Sequence, residues 1–188
     1  MKSLELLEQL QADTRQIMVQ LSYLRREDPG LLVQQPAPGK WSVAQVIEHL
    51  NSYGRYYLPQ LQKALERSTY PAKVNFTPGW LGDYFTKSML PKQNRVTNKM
   101  ASPKDHRPTP DIDPKTVMDE FEQQELLMLE LLNKAKHTDI GRLRIPISIA
   151  RIIKLKMGDV FRFIMAHQQR HFVQIEEVQK TLLSVNVQ

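Results

Sequence analysis

The sequence predicts an all-α fold, a single-domain four-helix bundle with one long crossover connection. Three observations carry this reading. Four long segments repeat apolar residues every three or four positions. Capping residues or Pro- and Gly-containing turns stand at the ends of those segments. One Pro-rich stretch, residues 68–112, is long enough to return the chain to the same end of a bundle. At 188 residues the chain can bury one substantial core, so residues 1–188 are read as one domain.

The first helix is expected from Leu4 to about Glu27, with Leu7, Leu10, Thr14, Ile17, Leu21 and Leu24 on one face. Asp28-Pro29-Gly30 ends it with turn chemistry. The second begins at Ser42, an N-cap residue followed by Gln45 in a capping-box pattern, with Trp41 placed to pack against Val46. It continues to about Arg67, with a kink expected at Pro59. The crossover holds a short helix around Leu81–Ser88. The third helix opens at Asp113-Pro114, a capping Asp and a Pro at the first helical position, and runs to about Lys136. Between Thr138 and Met157 a short helix capped by Ser148 is expected. The fourth long helix runs from about Asp159 to Leu183. No internal repeat is visible.

Composition narrows the function classes. Apolar residues make up 41% of the chain, yet no run approaches the roughly 18 consecutive apolar residues of a membrane span. The N-terminal leucines alternate with Glu and Gln as in an amphipathic helix, unlike a signal peptide. The absence of cysteine excludes disulfides, thiolate metal sites and a cysteine nucleophile. A cytoplasmic location and no membrane partner are the expectations. The net charge is +6, concentrated in two stretches: seven Lys/Arg against two acids from Lys73 to Arg107, and five bases without an acid from Arg142 to Lys156. No helix-turn-helix, zinc-finger or RNA-binding signature accompanies them, so nucleic acid is not an expected partner.

The histidines separate by placement. With 100° per residue and Val160 as the origin, His167 and His171 fall at about −20° and +20°, along the centre of the fourth helix's apolar stripe. Two buried imidazoles one turn apart on one face can bind a single metal ion, which relieves the cost of burying them. On the second helix His49 lies at the border of the apolar stripe, placed either to reach a neighbouring helix or to pack beside Tyr53 and Tyr56. Glu48 points away towards solvent and is rejected as a ligand or base. His106, in the Pro-rich crossover, and His137, after the third helix, are expected at the surface.

These motifs together resemble the DinB/YfiT-like superfamily: Gly39-Lys40-Trp41-Ser42 leading into a helix, His49 seven residues after the Ser, and a late His167-x-x-x-His171-x-x-Gln174 helix. The resemblance spans almost the whole chain. It implies an up-down-down-up bundle, a divalent metal, zinc or nickel, on His49, His167 and His171, and a homodimer. Three imidazoles leave at least one coordination position open, as catalytic sites do, and nitrogen ligation suits Zn, Ni, Cu or Fe over Mg or Ca. Gln174 is placed either to orient His171 from behind or to make a helix–helix hydrogen bond.

Two function classes follow. One is a metal-dependent enzyme acting on a small-molecule substrate, either a hydrolase or a thiol S-transferase-type enzyme with a low-molecular-weight thiol cosubstrate. The other is a non-catalytic metal-binding module for stress-response interactions. Arg151 and Lys154, in the basic stretch before the fourth helix, are either a solvated surface or guides for an anionic ligand approaching the metal.

Overall fold

Apolar periodicity and caps set the helices where the sequence places them, within a few residues. The computed structural model describes residues 1–93, 95–96 and 101–185. Helix α1 (Ser3–Leu24) buries Leu7, Leu10, Thr14, Ile17, Leu21 and Leu24, the predicted face. Asp28 ends this region as a turn residue and also starts a further element. Its carboxylate accepts the Gly30 N–H, and Pro29 opens the short helix α2 (Pro29–Val33). Helix α3 (Val43–Glu66) begins with the reciprocal Ser42–Gln45 capping box and runs through Pro59. The crossover carries α4 (Trp80–Met89). Asp113 accepts the Thr116 N–H to start α5 (Pro114–Ala135), and α6 (Met157–Val185) closes the chain.

Side-chain pairs fix the direction of each long helix. Arg25, just past α1, reaches Asp119 at 2.6 Å and Glu122 at 3.1 Å near the start of α5, so these two helices run antiparallel. Asn51 near the start of α3 donates to the Val117 carbonyl near the start of α5, and beyond their far ends Ser68 meets Thr138. Helices α3 and α5 are therefore parallel. Gln179 late in α6 reaches Glu27 after α1, which makes α6 parallel to α1. The order is up-down-down-up, an all-α four-helix bundle with α1 and α3 each packed on both α5 and α6. The core between them includes Leu21, Ile47, Leu61, Phe121, Leu131 and Phe161, all almost fully buried. Each such side chain stabilises the fold by roughly 1.5–3 kcal/mol through removal of apolar surface from water.

Two glycines let helices approach closely. A Cβ on Gly54 would overlap the Gln124 side chain, so its absence brings α3 against α5. A Cβ on Gly82 would sit 2.4 Å from Asp159. Its absence lets α4 lie on the first turn of α6. There Asp159 accepts the Gly79 N–H at 2.8 Å, and Arg162 bridges Asp159 and Asp83.

The segment before α6 departs from expectation. Instead of a short helix capped by Ser148, it forms an antiparallel hairpin, β1 (Arg144–Ile147) with β2 (Ala150–Lys156). Ile145 and Ile147 alternate along β1 and both turn into the core, a period of two that favours a strand. Ser148 sits in the turn, and its N–H donates to the Tyr57 hydroxyl rather than opening a helix. Among the described residues no helix is long and apolar enough to cross a membrane.

Candidate metal centre

His49 stands in the second turn of α3, held there by the capping box. His167 and His171 lie one turn apart on α6, which runs antiparallel to α3. All three are buried, at 3%, 5% and 8% exposure. Their Nε2 atoms converge: His49 lies 3.3 Å from His167, and His171 lies 3.0 Å from His167. One ring nitrogen from each of the three lies within 4.8 Å of the others.

Hydrogen bonds on the outer ring nitrogens settle two tautomers. His49 Nδ1 is 2.7 Å from the His106 backbone carbonyl, which can only accept, so Nδ1 carries the proton and Nε2 keeps its lone pair. His171 Nδ1 is 2.8 Å from Gln174 Oε1, an amide oxygen, with the same consequence. Of the two placements the sequence allows for Gln174, the structure shows the one behind His171. Burial pushes the imidazole of His49 down to about 4 and that of His171 to about 3, and holds His167 well below the usual histidine value. All three rings are therefore neutral at pH 7 and ready to donate lone pairs.

His106 is not at the surface, against expectation. A 3₁₀ turn, Lys104–His106, folds the crossover back onto α3. The His106 ring stacks on Tyr53 with centroids 3.9 Å apart and is 7% exposed. Ser52 hydroxyl donates its one proton to the His49 carbonyl at 2.6 Å, so it accepts from His106 Nδ1 at 2.9 Å. The Pro-rich crossover has no periodicity from which this docking could have been read. His137 is exposed, as expected.

The centre opens into a cavity of about 1250 Å³. Aromatic rings make its inner wall: Trp41 lies 4.9 Å from His49, Tyr53 4.4 Å from His167, and Phe163 stacks on His167 at 5.8 Å. Phe85 of α4 and Ile147 and Leu155 of the hairpin continue that wall outwards. Gln174 and Arg170 also line it. Arg151 and Lys154 are exposed on β2 and do not line the cavity, although their hairpin forms part of its wall.

Sequence reasoning missed two further buried groups. Arg170 is 6% exposed; on the same helical count it falls at about −80°, beside the apolar stripe. Glu125 is 1% exposed on α5 and accepts from the Gln168 amide across to α6. Its other oxygen and the Gln168 amide oxygen have no hydrogen-bond partner. Burial pushes the Glu125 carboxyl up to about 8, so it is mostly protonated at pH 7. The signal was present, since Val117, Phe121, Glu125, Met128 and Leu132 step by three and four along one face.

A family model of the DinB superfamily matches residues 6–175. No curated protein matches the chain significantly. Among solved structures the fold is similar to YfiT from Bacillus subtilis, described as a probable metal-dependent hydrolase with an unusual four-helix bundle topology. The TM-score is 0.53 at 15% sequence identity, over 96% of this chain and 85% of YfiT. With the family model spanning nearly its whole length and the bundle order in agreement, the chain belongs to the DinB superfamily.

Proposed function

We propose that the chain is a metal-dependent enzyme for a small organic substrate, holding one divalent ion, zinc or nickel, on His49, His167 and His171. The observation that carries this is the convergence of three neutral imidazole Nε2 atoms at the floor of a cavity. The donor set fits the ion. Imidazoles bound tetrahedrally at about 2.0–2.1 Å place their nitrogens about 3.3 Å apart, and the separations from His167 are 3.3 and 3.0 Å. The Nε2 lone pairs of His49 and His171 both face His167 Nε2 in a buried site, and a cation held among the three rings would satisfy them. Three protein ligands leave a position for a substrate, which favours catalysis over a structural role.

A divalent ion in such a site is a Lewis acid that makes a protic ligand more acidic. The residues around it favour thiol S-transfer over hydrolysis. Among the described residues lining the cavity the one carboxylate is Glu177, which is exposed. Among the described residues no buried carboxylate lines the cavity as a general base, and an activated thiol needs none. Trp41, Tyr53 and Phe163 give the histidines an apolar surround. Hydrolysis is the second reading, and it depends on Glu177 serving as base from the cavity mouth.

Untagged protein loaded with zinc or nickel, offered low-molecular-weight thiols with electrophiles and, separately, activated esters, tests this. Thiol-dependent turnover that disappears in His167→Ala supports the first reading. Ester cleavage that disappears in both His167→Ala and Glu177→Gln supports the second. Turnover unaffected by His167→Ala overturns both.

A further inference from the structure

Helix α4 and strand β2 pack against each other, and both leave large apolar side chains in solvent. Trp80 and Tyr84, one turn apart on the outer side of α4, are 83% and 63% exposed. Ile152 on β2 is 96% exposed, and Ile149 in the hairpin turn is 61% exposed. The alternation of β2 turns Leu155 into the core and sets Ile152, Lys154 and Lys156 on the opposite face.

Two observations join these side chains into one surface. Lys156 Nζ donates to the Thr77 carbonyl at 2.7 Å, which brings the outer face of β2 beside the start of α4. Tyr84 and Ile149 both line the cavity and both stay exposed, so they stand at its mouth. Apolar side chains grouped in this way and bordered by charge mark an interaction surface.

Charge decides what the surface fits. Helix α4 and the two strands carry Lys87, Arg144, Arg151, Lys154 and Lys156 against one acid, Asp83. Asp83 is already paired, with Lys87 at 2.6 Å and Arg162 at 2.8 Å. Arg151 and Lys154 flank Ile152 and Ile153 and are exposed. A second copy of the chain on a two-fold axis would set this basic patch against its own equivalent, because such an interface uses the same surface on both subunits. An anionic lipid leaflet attracts the same cations. Trp and Tyr rings settle at the headgroup level of a bilayer, and apolar side chains beside them reach the acyl boundary.

We propose that the outer face of α4 and the β1–β2 hairpin dock on an anionic lipid surface. Trp80, Tyr84, Ile149 and Ile152 enter the headgroup layer, and Arg151 and Lys154 meet its negative charge. The docking sets the cavity mouth, at Tyr84 and Ile149, against the lipid, and it does not depend on the metal. A contact that lies on a bilayer needs no long apolar run, so the criterion by which the sequence excludes a membrane partner does not detect it. Each cation near an anionic leaflet raises affinity by about fivefold.

Flotation of the full chain with phosphatidylcholine vesicles, with and without a third of phosphatidylserine, tests this at about 0.1 M salt, where a charge is felt over about 10 Å. Binding to the anionic vesicles is expected, with much weaker binding to the neutral ones. Arg151→Gln with Lys154→Gln should weaken it by about 25-fold, two cations at about fivefold each. Trp80→Ser with Ile152→Ser should weaken it by at least about tenfold. All four side chains are exposed, so both pairs should keep the helical circular dichroism of wild type. The chain has two tryptophans, and a blue shift of their emission on anionic vesicles should disappear in Trp80→Phe. Equal binding to neutral and anionic vesicles overturns the proposal, as does binding that ignores both pairs of substitutions. Absence of vesicle binding also overturns it, and a solution dimer that Trp80→Ser with Ile152→Ser converts to monomer then assigns the surface to a second copy.

Discussion

The His49 Nδ1 donates to the backbone carbonyl of His106 across 2.7 Å, joining the first motif-bearing helix to the Pro-rich crossover. The bond holds the His49 ring in the tautomer that leaves Nε2 facing His167. It also explains why a long crossover packs back onto the bundle. The crossover supplies the acceptor that a buried imidazole N–H requires, and Ser52 and Tyr53 hold the His106 ring in place.

Partners behind a ligating histidine fix its orientation and basicity, so their loss weakens metal binding without removing a ligand. Gln174→Ala removes the acceptor of His171 Nδ1–H. It is expected to lower metal affinity about ten- to a hundredfold in competition with a chelator of known strength. Gln174→Glu keeps an acceptor and should recover most of that loss. Ser52→Ala should have a smaller effect, because the His106 carbonyl remains. Wild-type affinity in Gln174→Ala would show that the hydrogen bond does not orient the ring.

Glu125 gives the folded chain a pH dependence of its own. Its folded-state value, about 8, lies above the ordinary 4.5 because burial disfavours the charged form. The stability it contributes is fully present below the unfolded value and is lost as pH rises towards 8, by an amount on the order of a few kcal/mol. Glu125→Gln removes the titration and keeps a hydrogen-bonding group opposite Gln168. The variant's melting temperature should therefore gain on wild type steadily between about pH 5 and 8. A difference that stays flat across that range would mean that Glu125 is ionised in the folded protein.

The metal should not be what holds the fold together. The bundle buries Ile47, Leu61, Phe121, Leu131 and Phe161 without help from the histidines, unlike small domains that unfold without zinc. Chelation is expected to leave the helical circular-dichroism signal near its starting value, with a moderate fall in melting temperature. Complete loss of the signal on chelation would make the site structural.

The sequence carries the bundle because its long helices have strong apolar periodicity and side-chain caps on local residues. Ser42 with Gln45, and Asp113 before Pro114, act within one turn and are readable without tertiary knowledge. The three histidines are legible for the same reason, since helix rotation puts His167 and His171 at the centre of one face. The hairpin is not legible in the sequence because Ser148 looks like a cap, while the Ile145–Ile147 alternation covers only a few residues. The burial of His106 depends on where the crossover docks, which no local pattern encodes. Arg170 is a border position on α6, and its burial appears only once the helix is packed.

The proposed function requires the three histidines to act as one metal site. The most direct measurement is elemental analysis of protein purified without an affinity tag, for wild type, His49→Ala and the double variant of His167 and His171 to Ala. One equivalent of zinc or nickel per chain is expected in wild type, a strongly reduced amount in His49→Ala, and none in the double variant. Full occupancy in the double variant would place the metal elsewhere and contradict the account.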